Sequence, residues 1–259
     1  MSRPDITLAV TAHSESVVAG PSLHGAANAV RCAEAAGFRV EVLVGMDTPS
    51  DECRAFFRQQ TFGNCKTVEF QMADPYPARN ALVAMAAGRW LAFLDADDLF
   101  SENWLVNAAK RLADAERASE RVVVHPEINW VFDGLASVYA KTPQSDAQYV
   151  PHHFYFANYY DMLCMAPRQV HLDIPYVRRD LVTGYGYGDW QWNIESMAAG
   201  WRHVIAKDTI IFKRRRDKSV VVENIAREAV IHDVEPMAID RVLGLGRNST
   251  LTSTFGRHQ

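Results

Sequence analysis

Trp90-Leu91-Ala92-Phe93-Leu94-Asp95-Ala96-Asp97-Asp98 carries the plainest signal in the chain. Trp90 to Leu94 form an unbroken apolar run that predicts a buried strand. Three carboxylates leave its end. Held close together, Asp95, Asp97 and Asp98 repel one another unless a cation neutralises them. Their hard oxygens suit Mg²⁺ or Mn²⁺, ions that also bind phosphate. The plain alternative is that Asp97 and Asp98 only begin the next helix or turn.

Around this strand two periodicities alternate. Residues 6–12 (ITLAVTA) predict a strand, 23–36 an Ala-rich helix stopped by Gly37, and 39–45 a second strand. A helix is expected over 50–60 and a weaker strand over 66–71. Pro75-Tyr76-Pro77 reads as a loop before a helix over 78–87, which Gly88 ends. After the acidic residues come an amphipathic helix over 101–118, with Ser101 as its N-cap, and a strand over 122–124. The class is therefore α/β, a mainly parallel sheet flanked by helices. Such sheets bind ligands at the carboxyl ends of their strands, which singles out the loops beginning at His13, Asp47 and Asp95.

Beyond residue 126 the texture changes. Residues 149–192 are dense in Tyr, Trp, His and Phe. A helix over 190–199 ended by Gly200, short strands over 203–205 and 209–213, and a helix over 223–231 are expected. No repeat or linker divides the chain. It reads as one domain, with a ligand-binding half (1–125), a second half (126–243) and a loosely ordered tail (244–259).

The 259 residues include 27 Lys and Arg against 31 Asp and Glu, a formal net charge of −4 that argues against coating nucleic acid. The sum conceals two knots: Asp95, Asp97 and Asp98 on one side, Lys213-Arg214-Arg215-Arg216 on the other. In an extended chain Arg214 and Arg216 share one face, and Lys213 and Arg215 the opposite face. Such a strip suits a diphosphate leaving group; a solvated surface run is the plain reading. Cys32, Cys53, Cys65 and Cys164 form no C-x-x-C pair, which fits a reducing compartment. The N-terminus lacks an apolar leader, and no stretch approaches the roughly 20 apolar residues of a membrane span. A cytoplasmic protein is expected, with contact to a membrane surface left open.

Other residues gain meaning from position. Asp47 ends the second strand, where a carboxylate can hold a ribose hydroxyl or a base edge, or close an Asx turn beside Pro49. Arg79 can reach a phosphate with its fork of donors, or lie solvated at a helix start. In Gly184-Tyr185-Gly186-Tyr187-Gly188-Asp189-Trp190-Gln191-Trp192, glycines permit close approach of a ligand and aromatic faces can stack on sugars. Asp189 there serves either as a general base or as a helix cap, and Trp190 and Trp192 either stack on ligand or pack in the core. His152 and His153 meet no second ligand pair at metal spacing. No Walker A loop, G-x-S-x-G elbow or dinucleotide fingerprint is present.

In order, these pieces resemble a family 2 glycosyltransferase of the GT-A (Rossmann-like) fold. Five blocks carry the likeness: Leu8 to His13, Val42 to Asp47, Ala78-Arg79-Asn80 through Gly88, Phe93 to Asp98, and Gly188-Asp189-Trp190. The fourth, preceded by A-x-G-x-W, is the most specific. The resemblance implies an inverting transfer from a nucleotide-sugar donor, usually a UDP-sugar, to a hydroxyl of a glycan or lipid-linked sugar. It places Thr11 and His13 at the nucleobase, Asp47 at uracil or ribose with Arg79 nearby, and Asp95 at the ribose. Asp97 with Asp98 would hold Mn²⁺ or Mg²⁺ against the diphosphate. Asp189 would be the catalytic base and Arg214 and Arg216 would flank the departing nucleotide. Three departures stand out. Met46 replaces the first of two Asp residues, Gly188 replaces the usual Glu before the base, and Arg216 lies where many members have His.

Two other readings compete. Leu94-Asp95-Ala96-Asp97 also resembles the nucleophile loop of haloacid-dehalogenase phosphatases, although that family carries it on the first strand and has Thr or Val where Leu99 stands. The other is a non-catalytic nucleotide- or sugar-binding module of the same fold.

Overall fold

The computed structural model describes residues 3–59, 65–134, 136–217 and 219–246. Strands β1 (Ile6–Ala12), β2 (Val40–Asp47), β3 (Cys65–Phe70) and β4 (Trp90–Asp95) run parallel in the order β3-β2-β1-β4. Helices α1 (Ala19–Ala35), α2 (Asp51–Arg58) and α3 (Pro75–Met85) make the crossovers. The register sets Thr11 beside Gly45 on one side and Asp95 on the other, so the carboxyl edge forms a ledge.

The second half extends this sheet. Strand β5 (Leu99–Phe100), helix α4 (Trp104–Arg117), β6 (Val122–Phe132), β7 (Ser137–Ala140), β8 (Met165–Pro167), α5 (Arg168–Asp173), α6 (Gly188–Ala198), β9 (Arg202–Arg214) and α7 (Val220–Ala226) follow in turn. The strand order continues β4-β8-β6-β9-β5, with β7 on β6. The long ladders are parallel, including β6 with β9, while the antiparallel pairings of β5, β7 and β8 are short. This is the expected mainly parallel α/β sheet. It delivers the ends of β1, β2, β4 and β9 to one edge.

Several boundaries differ from expectation for identifiable reasons. Helix α3 begins at Pro75, not residue 78: Asp74 caps it by accepting from Tyr76 N at 3.0 Å, and proline is well suited to a first helical position. Helix α4 begins at Trp104 because the Ser101 hydroxyl is spent elsewhere, accepting from Ile210 N at 3.0 Å. The strand expected at 122–124 runs on to Phe132, passing a register shift between Pro126 and Ile128. The two short strands expected after residue 203 are one, β9, carried through Asp208 in a left-handed conformation (φ 61°). Helix α7 starts earlier than residue 223, capped by Ser219, and ends at Ala226.

One large core of Ile, Leu, Val and Ala fills both faces of the sheet, with Trp104, Phe93 and Trp192 buried in it. A second core gathers Tyr149, Phe154, Tyr160, Ile194, Met197, Val234, Val242 and Leu245. Much of the aromatic stretch is therefore core. Of the expected tail, Gly244 to Gly246 are anchored, with Gln144 Nε2 donating to Leu245 O at 2.8 Å; residues 247–259 lie outside the described residues. Among the described residues no helix is long and apolar enough to cross a membrane.

Candidate functional site

A cleft of about 1110 Å³ opens over the carboxyl edge of the sheet. Its walls include every site residue singled out above: Thr11, His13, Asp47, Arg79, Asp95, Asp97, Asp98, Asp189, Arg214 and Arg216. They come from six separate places in the chain, and the sheet brings them together.

At the ledge between β1 and β4, Thr11 Oγ1 donates to Asp95 Oδ1 at 2.6 Å, and buried Arg79 forms an ion pair with the same oxygen. Burial alone raises the Asp95 carboxyl, but Arg79, Lys213 and the Thr11 hydroxyl together hold it below its ordinary value. Asp95 is an anion with a fixed orientation. Asp47 is occupied differently. Its carboxylate accepts from Met72 N at 2.7 Å, Ala73 N at 3.1 Å and Asp74 N at 3.0 Å, and so ties down the loop before α3. In this conformation it shapes the cleft wall through that loop instead of presenting free oxygens. His13 Nδ1 lies 2.6 Å from Asp47 O. A carbonyl only accepts, so Nδ1 carries the proton and Nε2 remains the ring's second polar atom.

The acidic and basic knots are not separate poles. Asp97 Oδ2 lies 2.7 Å from Arg216 Nε, and Asp98 Oδ1 accepts from Arg214 N at 2.8 Å. Asp98 Oδ2 faces Lys213 Nζ at 3.8 Å. The face assignment for the basic strip also changes. Strand β9 ends at Arg214, so strict alternation stops there. Arg216 turns back onto Asp97, and Lys213, expected on the opposite face, points into the cleft. Arg214 spends its guanidinium on Asp133 at 2.5 Å and on the Phe132 ring. Burial, then the charge of Asp95, pushes Asp97 up to about 6; burial pushes Asp98, only 3% exposed, up to about 8.

Among the described residues no group of three or more His, Cys, Asp or Glu side chains is arranged to hold a metal ion. The donor chemistry still fits one, because Mg²⁺-type sites commonly use one or two carboxylates and take remaining oxygens from substrate phosphates and water. Asp97 is the better placed, since Asp98 also fastens the end of β9.

Asp189 is the second residue of α6 and does not cap it; Tyr187, at φ 55°, precedes the helix without a side-chain cap. Tyr76 OH donates to Asp189 Oδ1 at 3.3 Å and Asn158 Nδ2 to Oδ2 at 3.4 Å. Burial pushes this carboxyl up from its ordinary value. Gly188 is explained by the same contact: a Cβ there would stand 3.0 Å from the Tyr76 ring. Trp192 belongs to the core, whereas Trp190 packs beside the second core with its indole N–H unpaired.

Among the cleft residues that sequence reasoning missed are Asn158, the donor to Asp189 Oδ2, Glu15 and Asp161, and it undervalued Lys213. Glu15, 6% exposed, accepts from His13 N at 2.5 Å and Arg216 Nη2 at 2.8 Å. It sits two positions after a residue already flagged by its strand-end loop. Asp161 accepts from Asn129 Nδ2 at 2.6 Å and Lys141 Nζ at 3.2 Å, and lies 3.8 Å from Lys213. Burial raises it, but Lys141 and Lys213 hold it below its ordinary value. Nothing around Asp161 in the sequence marks it. Lys213 lies near Asp161, Asp98 and Asp95, whose charges outweigh burial and raise its pKa.

Comparison with known proteins completes the picture. No curated protein sequence matches. Among solved structures, S. aureus TarS 1-349 in complex with UDP-GlcNAc superposes with a TM-score of 0.61 at 14% identity, over 83% of this chain and 60% of that one. The mannosyltransferase PcManGT from Pyrobaculum calidifontis, in complex with GDP-Man and Mn²⁺, gives 0.60 at 17% identity, over 88% and 65%. The chain thus spans less than two thirds of the length of either, and at these identities the likeness shows a shared GT-A fold. The sequence model of Glycosyl transferase family 2 matches residues 7–155, more than half of the chain. With that match on the strands and ledge described above, the chain belongs to glycosyl transferase family 2.

Proposed function

We propose that the cleft binds a nucleotide-diphosphate sugar, with UDP-sugars first among candidates, and transfers the sugar with inversion to a hydroxyl of a glycan or lipid-linked acceptor. One observation carries this reading. Asp189 stands in the same cleft as the Asp95–Asp97 ledge, held by two side-chain donors and not spent as a helix cap.

Each side chain then has a task. Thr11 and His13 face the nucleobase, and Arg79 holds Asp95 ready for the ribose hydroxyls. Asp47 supports that pocket through the loop before α3. Arg214 and Arg216 flank the diphosphate, with Lys213 beside them. Asp189 accepts the acceptor's hydroxyl proton while that oxygen bonds to the anomeric carbon. The bond from that carbon to the diphosphate oxygen breaks, and the electron pair leaves with the nucleoside diphosphate. Asp97, with Asp98 behind it, would hold Mn²⁺ or Mg²⁺, which when bound supplies positive charge to the departing diphosphate. UDP-GlcNAc, GDP-Man and Mn²⁺ in the structural neighbours are consistent with these chemistries. The phosphatase reading has no place in a chain of this family.

A thermal-shift screen of UDP, GDP and their sugars, with and without Mn²⁺, tests the donor assignment. One nucleotide series should stabilise the protein, and release of the matching nucleoside diphosphate should require an acceptor hydroxyl. Stabilisation with no transfer to any glycan or lipid-linked acceptor favours a binding module; no stabilisation by any nucleotide contradicts the reading.

A further inference from the structure

We propose that Arg216 is the resident counter-ion of the donor site, bridging Glu15 and Asp97 until a nucleoside diphosphate arrives, so that the divalent cation enters with the nucleotide and not ahead of it. The inference rests on reading the cleft as a nucleotide-sugar site.

Three chain segments meet at this point. Glu15 follows β1, Asp97 follows β4, and Arg216 follows β9. Arg216 Nη2 donates to Glu15 Oε1 at 2.8 Å, while Arg216 Nε lies 2.7 Å from Asp97 Oδ2. The two contacts are not alike. The Glu15 contact is a directed hydrogen bond to a carboxylate whose other oxygen accepts from His13 N at 2.5 Å. The Asp97 contact is one of charge, because the Nε–H finds no aligned acceptor. Asp97 is therefore the partner that Arg216 releases first, and Glu15 keeps the guanidinium inside the cleft.

This arrangement opposes a cation arriving alone. An ion bound at Asp97 would face the Arg216 charge at close range in a partly buried site, where repulsion is weakly screened. A diphosphate changes the balance. It offers the guanidinium planar, paired phosphate oxygens, a geometry to which arginine is well matched. Once Arg216 turns toward phosphate, Asp97 is left largely buried without its counter-ion, and such a charge is costly until it is paired again. Arg216 thus exchanges a carboxylate for phosphate, and Asp97 exchanges arginine for the divalent cation. The charge brought by the nucleotide is offset by that of the cation, so the cleft keeps its balance throughout. Glu15 sets the reach of the exchange, a positioning residue acting through Arg216.

The test is Mn²⁺ binding to the full chain, read from the electron paramagnetic resonance signal of the free ion, with and without UDP or GDP. Wild type should take up Mn²⁺ about tenfold more tightly with the nucleotide that it binds than without. Arg216→Met should bind Mn²⁺ alone several-fold more tightly than wild type does alone, so that the gain from adding nucleotide shrinks, although the phosphate oxygens still contribute ligands. Arg216→Lys, which keeps the charge, should retain most of the nucleotide requirement, and Glu15→Gln should fall between. Circular dichroism checks that each variant is folded. Equal Mn²⁺ affinity with and without a nucleotide that demonstrably binds would overturn the inference and leave the donor site standing. So would an unchanged nucleotide requirement in Arg216→Met. If wild type binds neither nucleotide nor Mn²⁺ under any condition, the donor-site reading fails and the inference falls with it.

Discussion

Asp97 and Arg216 meet at 2.7 Å, which makes the acidic residues after β4 and the basic run after β9 a single electrostatic unit. Asp97→Asn removes the charge that holds Arg216 and the best-placed carboxylate for a divalent cation. Transfer should fall by about a hundredfold or more. UDP or GDP binding in EDTA, measured by calorimetry, should be unchanged or tighter because Arg216 is freed for phosphate. A matching loss of metal-free nucleotide affinity would remove Asp97 from the metal role.

Asp161 anchors two lysines, Lys141 at 3.2 Å and Lys213 at 3.8 Å, and the Lys141 side chain has no exposed surface. Replacing it by Asn leaves Lys141 without its counter-ion in the interior. The expected loss of stability is about 3 kcal/mol, read from urea denaturation. A change under about 1 kcal/mol would show that Lys141 finds another partner or water.

Gly188 lets the Tyr76 ring close on the start of α6. Gly188→Ala should displace that ring by a few tenths of an ångström and loosen the Tyr76–Asp189 hydrogen bond. The fold should persist at a cost of about 1–2 kcal/mol. Turnover should drop while nucleotide affinity holds. Equal turnover would mean that Tyr76 does not orient Asp189.

Much of this was legible in the sequence, and the rest was not, for physical reasons. Strands β1, β2 and β4 are buried on both sides, so each writes itself as an apolar run ending in a loop that faces the ligand edge. His13, Asp47 and Asp95 stand at those ends, which is why position singled them out; Asp97 and Asp98 follow as clustered carboxylates, and Thr11 was reached only through the family resemblance. Strand β9 was read as two short strands because Ala206, Lys207 and Asp208 interrupt its apolar pattern, whereas its ladder with β6 resumes beyond a register shift. Asp161 and Glu15 were hidden because their meaning comes from partners far along the chain, Lys141 and Lys213 for one and Arg216 for the other. The pairing of the two charged knots escaped for the same reason. A linear reading shows charge segregation but not which segregated charges face each other.

Three buried histidines, His125, His171 and His203, set an acid limit on stability, and burial lowers all three. Burial pushes His171 and His203 down to about 3, against about 6.5 in an unfolded chain. Between those values the unfolded chain binds protons that the folded chain does not. Stability therefore rises with pH across that window and is lost as pH falls through it. His171 stacks on Trp192 with ring centroids 4.7 Å apart, so His171→Phe keeps a ring there without the titration. Urea denaturation at pH 7 and pH 5 should show a smaller loss in the variant than in wild type. Equal losses would assign the acid lability to other groups.

The most direct test of the central claim, a nucleotide-sugar cleft with Asp189 as its base, is one variant measured two ways. Asp189→Asn keeps the shape beside Tyr76 and Asn158 but cannot accept the acceptor's proton. Release of nucleoside diphosphate in the presence of acceptor should fall by about a thousandfold, while donor affinity by calorimetry stays within about twofold of wild type. Transfer at near wild-type rate with donor binding intact would contradict the assignment of Asp189.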